Sequence, residues 1–156
     1  MNLKSQFFAE EYDILELLED IKNVWERDYA WIEIKLELFP SIAYVLPKDV
    51  LKVVFDNLIL NSIQQNDDRN HLCIFIQTKL NSGLLEFLYK DDGKGLSKKY
   101  IDDPMKIIEV HETSRKQGHG LGMWIVNNTI FMSGGEIKKI DGLNGFTIQF
   151  NIGGKI

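Results

Sequence analysis

Two asparagines stand four residues apart in "FDNLILNS", Asn57 and Asn61, with Leu58, Ile59 and Leu60 between them. On a helix such positions share one face, one turn above the other. They read either as two surface asparagines or as an amide oxygen aimed into a cleft. An amide oxygen is a suitable ligand for Mg2+, a hard cation that takes oxygen donors and bridges phosphates while keeping several waters. Further on, "YKDDGKGL" sets Asp91, Gly93 and Gly95 in the spacing D-x-G-x-G. Asp and Gly both favour plain turns. The same residues also suit purine recognition: a carboxylate accepts a hydrogen bond from the adenine amine and repels the guanine carbonyl, and glycines let the backbone approach the base. In "GHGLGMWIV", Gly118, Gly120 and Gly122 alternate ahead of an apolar stretch. Bare backbone N–H groups at a helix N-terminus hold an anion without a charged side chain.

The histidines offer less. "HE" at 111 and 112 has the residue types of a phosphoacceptor histidine. Its neighbours are polar, aperiodic and run into glycines, so a rigid helical presentation is not expected. His119 lies between two glycines, where its backbone matters more than its ring. His71 precedes a strand, and the three histidines make no metal-ligand pattern. A dinucleotide fingerprint fails too: it needs a glycine where Met123 stands and a strand where "ETSRKQ" stands. Cys73, the single cysteine, sits in the apolar run "HLCIFIQ" and reads as a core residue in a reducing compartment.

Positioning these groups requires a particular set of elements. "YDILELLEDIKNVWERDYA" has helical apolar spacing, and Asp13 with Glu16 resembles a capping box. "WIEIKLEL" alternates as a half-buried strand, and "SIAYVL" reads as a second. Pro47 is expected to open the helix "KDVLKVVFDNLILNSIQQ", which carries both asparagines. Strand candidates "LCIFIQTKL" and "GLLEFLYK" flank the turn "NSG", and the second delivers Asp91. A long polar stretch, 91 to 119, leads to the helix "GLGMWIVNNTIFMS", ended by "GG"; "EIKKID" and "FTIQFNI" then form a hairpin across "GLNG". Grouped strands and helices imply an α+β two-layer sandwich, with helices on one face of a mixed, mostly antiparallel sheet. A polar loop of that length inside a compact domain is more often functional than accidental.

The chain of 156 residues fits one domain spanning 1–156, and a net charge of −5 argues against a dedicated nucleic-acid binder. The segment from Lys94 to His119 is the exception, with six Lys or Arg against four carboxylates. No apolar run reaches the roughly 20 residues of a membrane span, so this chain is expected to make no direct membrane contact and any membrane anchor of the intact protein to lie outside it; the domain itself is expected in the cytoplasm.

In order and spacing, "FDNLILNS", "KDDGKGL" and "GHGLGMWIV" resemble the N, G1 and G2 boxes of the GHKL superfamily, whose ATP-binding domains have the Bergerat fold. The chain is most similar to the catalytic ATP-binding domain of bacterial sensor histidine kinases. That resemblance implies ATP and Mg2+ as ligands, with Asn61 on the metal, Asp91 on adenine and Gly93 and Gly95 shaping the base pocket. It implies a phosphate-facing turn of Gly118, His119, Gly120, Leu121 and Gly122, and an ATP lid over about 97–117. Arg115 would face the phosphates. Asn57 fills the slot that carries a water-activating Glu in the hydrolysing branches. An amide is no general base near neutral pH, so Asn57 favours transfer to a histidine over hydrolysis. The implied partners are a histidine-phosphoacceptor and dimerisation domain and a response regulator. A nucleotide-gated interaction module without phosphotransfer and a GHKL ATPase are the alternatives. Gln64, Ile108 and Phe146 depart from that branch, which commonly has a basic residue, a phenylalanine and a threonine there.

Overall fold

The computed structural model describes residues 9–38, 43–47, 49–109 and 120–153. Strand β1 (Ala9–Asp13) leads into helix α1 (Ile14–Asp28), followed by β2 (Ile32–Leu38), β3 (Ala43–Pro47) and α2 (Val50–Gln65). Then come β4 (Leu72–Asn81), β5 (Leu84–Asp91), the one-turn helix α3 (Lys98–Ile101) and a 3-10 turn (Pro104–Ile108). Helix α4 (Gly120–Met132), β6 (Glu136–Asp141) and β7 (Thr147–Ile152) complete the order.

Five strands form one sheet in the order β2-β4-β5-β7-β6. β2 and β4 are parallel, and every other pair in it is antiparallel. Period-two alternation decides which face is dry. Ile32 and Ile34, Leu72, Ile74 and Ile76, Leu85, Phe87 and Tyr89, and Ile148, Phe150 and Ile152 are all buried. The helices cover that face, so the expected α+β two-layer sandwich with a mixed, mostly antiparallel sheet is what forms. At its centre Phe55 of α2 meets Phe87 edge-on at 5.3 Å, and Phe87 stacks on Phe150 at 5.2 Å. Offset and edge-to-face pairs of this kind add to the stabilisation that comes from burial alone.

Local signals explain most boundaries. Asp13 caps α1 by accepting the Glu16 N–H at 3.2 Å. α4 ends as a Schellman motif: Gly134 at φ +92°, its N–H on Phe131 O and the Gly135 N–H on Ile130 O, both at 3.0 Å.

Three expectations are corrected. Pro47 does not open α2; it is the last residue of β3, and α2 starts at Val50 behind Asp49, which is left-handed at φ 64°. β3 does not join the main sheet. It pairs antiparallel with β1, a strand without apolar alternation in "AEEYD", as a separate two-stranded ribbon. Cys73 is not a core residue. Leu72, Ile74 and Ile76 point inward, so Cys73 lies half-buried on the other face, where burial pushes its thiol pKa up.

Candidate functional site

Asn61 and Asp91 come from distant segments and meet at one cavity of about 280 Å3. Asn61, Gln65 and Asn66, at the C-terminal end of α2, form one wall. Asp91, the last residue of β5, and Phe146, just before β7, close its base. The segment from Gly95 to Tyr100 and Ile107 supply the rest. The polar stretch is therefore not structureless over its first part: from Ser97 to Ile108 it carries α3 and the 3-10 turn, and Ile107 is buried. Ile108, which stands in the usual phenylalanine position, is partly buried against the core.

Asp91 is 5% exposed and engaged at both oxygens. Its Oδ1 accepts the Gly93 N–H at 2.9 Å and the Phe146 N–H at 3.1 Å, and its Oδ2 accepts the Ser62 hydroxyl at 2.7 Å. A carboxylate held by fixed donors keeps its remaining acceptor capacity in one direction. Phe146 thus serves the site through its main chain, which makes the departure from threonine intelligible.

Asn61 is 6% exposed, and its Oδ1 is buried with no hydrogen-bond partner. Most buried polar atoms are satisfied, and leaving one unpaired costs about 1–3 kcal/mol. Asn61 lines the cavity, and an amide oxygen left without a protein partner in such a residue suits a hard cation or its water shell. Among the described residues no cluster of three or more His, Cys, Asp or Glu competes as a metal site.

One turn earlier, Asn57 donates its Nδ2 to Val53 O at 2.7 Å. Its Oδ1 lies 3.8 Å from where a Cβ on Gly122 would be, so the start of α4 runs beside it. Gly120, Leu121 and Gly122 form the first turn of α4, as an anion-holding helix start requires. Arg115, Gly118 and His119 lie outside the described residues, as does the rest of the expected lid, 110–117. Gly95 is left-handed at φ +77°, and a Cβ there would run into Gly142 O. Gln64 is exposed on α2.

Four residues escaped the sequence reading. Asn66 is buried; its Nδ2 donates to Ser62 O at 2.8 Å and its Oδ1 accepts the Lys94 N–H at 3.0 Å, tying α2 to the glycine turn. Ser62 and Tyr89 back Asp91. Tyr100 lines the cavity from a segment read only as polar. In β5 Tyr89 alternates inward with Leu85 and Phe87, but no pattern told that its hydroxyl would find Ser62.

Comparisons with known proteins give the family and the fold. The family described as "Histidine kinase-, DNA gyrase B-, and HSP90-like ATPase" matches residues 47–153. Sensor histidine kinase WalK of Bacillus subtilis is 28% identical over 140 residues, covering 86% of this chain and 21% of that protein. Tetrathionate sensor histidine kinase TtrS of Salmonella typhimurium is 24% identical over 153 residues, covering 92% and 25%. The chain thus spans about a quarter or less of these relatives. Among solved structures, the catalytic domain of histidine kinase ThkA superimposes with a TM-score of 0.77 at 21% identity, covering 95% of this chain and 98% of that one. Full-length ShkA in complex with AMPPNP gives 0.76 at 19% identity, covering 96% and 32%. With the family's match running from the end of β3 to the end of β7, the chain belongs to the histidine kinase-, DNA gyrase B-, and HSP90-like ATPases and has the fold of a histidine-kinase catalytic domain.

Proposed function

We propose that this domain binds ATP with Mg2+ and transfers the γ-phosphoryl group to a histidine on a separate acceptor domain. The single observation that carries the reading is the pairing, across one cavity, of a rigidly held carboxylate with an orphan amide oxygen. Asp91 accepts from the adenine amine, and Gly93 and Gly95 admit the base. Asn61 Oδ1 is the metal ligand. Bound there, Mg2+ would neutralise phosphate charge and hold the phosphate oxygens in place. The main-chain amides from Gly118 through His119, Gly120, Leu121 and Gly122 hold the phosphates, with Arg115 adding positive charge from the lid. Asn57 has its amide nitrogen committed to Val53 O and offers no base to a water. What these residues contribute is alignment and charge stabilisation, not proton abstraction. The partners of this reaction are the phosphoacceptor and dimerisation domain and a response regulator, and its location is the cytoplasm, where ATP is supplied.

The deciding experiment supplies γ-labelled ATP, Mg2+ and an acceptor domain from a related histidine kinase. Label on the acceptor histidine is expected, and Asn61→Ala should abolish it. Free phosphate with an unlabelled acceptor would overturn transfer in favour of an ATPase. Nucleotide binding with neither product would make the domain a nucleotide-gated interaction module.

A further inference from the structure

Two buried hydroxyls outside the cavity lining join the Asp91 carboxylate to the backbone of α2. Ser62 is 1% exposed and Tyr89 is fully buried. Ser62 Oγ lies 2.7 Å from Asp91 Oδ2 and 2.7 Å from the Tyr89 hydroxyl, which lies 3.1 Å from Leu58 O. These are three contacts with two protons to fill them, because each hydroxyl donates once. An ionised carboxylate only accepts, so the Ser62 proton belongs to Oδ2. The short Ser62–Tyr89 contact is then bonding only if Tyr89 donates. The Tyr89 proton also faces Leu58 O, the longer of its two contacts, so it is shared between them with Ser62 the nearer acceptor. The direction is fixed: Tyr89 to Ser62 to Asp91. Burial, and next the nearby Asp91 charge, push the Tyr89 pKa well up, so the phenol keeps the proton it donates.

We propose that Ser62 and Tyr89 form a positioning relay that orients the Asp91 carboxylate and thereby sets the preference for a purine bearing a 6-amino group. Oδ1 is fixed by two backbone N–H groups, which Ser62→Ala and Tyr89→Phe leave in place. Oδ2 is fixed by a side chain, and that bond is where discrimination is tuned. The inference rests on the reading that Asp91 accepts from the adenine amine, and the test separates the two.

Affinities of the full chain for ATP and for purine riboside triphosphate, which lacks the 6-amino group, are measured for the natural sequence, Ser62→Ala, Tyr89→Phe and the double variant. The natural chain is expected to prefer ATP. Ser62→Ala should weaken ATP by about three- to tenfold, the scale of one hydrogen bond, and leave the amine-free nucleotide within about twofold. Tyr89→Phe keeps the ring packing and should show a smaller loss with the same ligand dependence. The double variant should be no worse than Ser62→Ala, since both act through one bond. Equal losses for the two nucleotides, additive losses, or no loss would overturn the relay while the Asp91 reading stands. If the natural chain binds both nucleotides alike, the Asp91 reading falls and takes the relay with it. Should Ser62→Ala fail to fold, Tyr89→Phe alone decides by its ligand dependence.

Discussion

At Gly93 a Cβ would run into the Asn66 amide, which fills that space while bridging Ser62 O and the Lys94 N–H. Gly93→Ala must therefore displace a buried side chain that holds two hydrogen bonds, and should destabilise the fold by about 1–3 kcal/mol. In an Asn66→Ala background the same change meets open space and should cost less than half as much. Denaturant unfolding of the two singles and the double measures this, and additive costs would refute the steric account. The pair also shows what was readable at this scale. Asp91, Gly93 and Asn61 were found because their types and local spacing already suggest chemistry. Asn66, Ser62 and Tyr89 were not. Asn66 meets Lys94 28 residues away and Ser62 meets Asp91 29 residues away. Contacts of that separation leave no periodic trace.

The elements hold the site by bracing α2 and the sheet edge against α1. Trp25 Nε1 donates to Asp56 at 2.7 Å, joining α1 to α2. Glu26 Oε2 accepts the Ile34 N–H at 2.7 Å and the Lys22 ammonium at 2.8 Å. Ile34 lies on β2, an edge strand, so Glu26 satisfies a backbone donor that no neighbouring strand reaches. Burial alone would raise the Glu26 pKa, but the Ile34 N–H and Lys22 outweigh it and lower it from 4.5. The sign follows from linkage: a carboxyl with a depressed folded pKa adds stability that is full above its unfolded value and disappears as pH falls through the folded one. Glu26→Gln should thus cost about 1 kcal/mol at pH 7, and the gap from the natural chain should close below pH 4.5. Urea midpoints from pH 3 to 7 measure it; a gap constant across that range would dismiss the ionic contribution. Alternation and caps made α1, β2, β4, β5 and the terminal hairpin legible. The β1–β3 ribbon was not, since "AEEYD" lacks alternation and is a strand only because β3 pairs with it. Pro47 misled because its fixed φ suits both a strand end and a helix start.

At the scale of the whole molecule, the cavity joins α2, β5, the residue before β7 and the segment from Gly95 to Ile107. A nucleotide there touches segments far apart in sequence and binds only the folded chain, so it must stabilise the fold by mass action. At about 100 times the dissociation constant the gain is roughly 2.7 kcal/mol. For a chain of this size that is an increase in melting temperature of roughly 5–10 °C. The increase has two separable parts. On the proposed reading, Asp91 and the glycine turn act on the base and need no metal, whereas Asn61 Oδ1, buried and unpartnered, acts through a cation. ATP with EDTA should therefore raise the melting temperature of the natural chain modestly, and Mg2+ should add a further increment. In Asn61→Ala the EDTA increment should persist while the Mg2+ increment vanishes, so that the curves with and without metal coincide. A variant that kept the full Mg2+ increment would show that the metal is held elsewhere, and Asn61 would lose its role. Loss of both increments together would mean that the asparagine shapes the cavity as a whole rather than serving the cation.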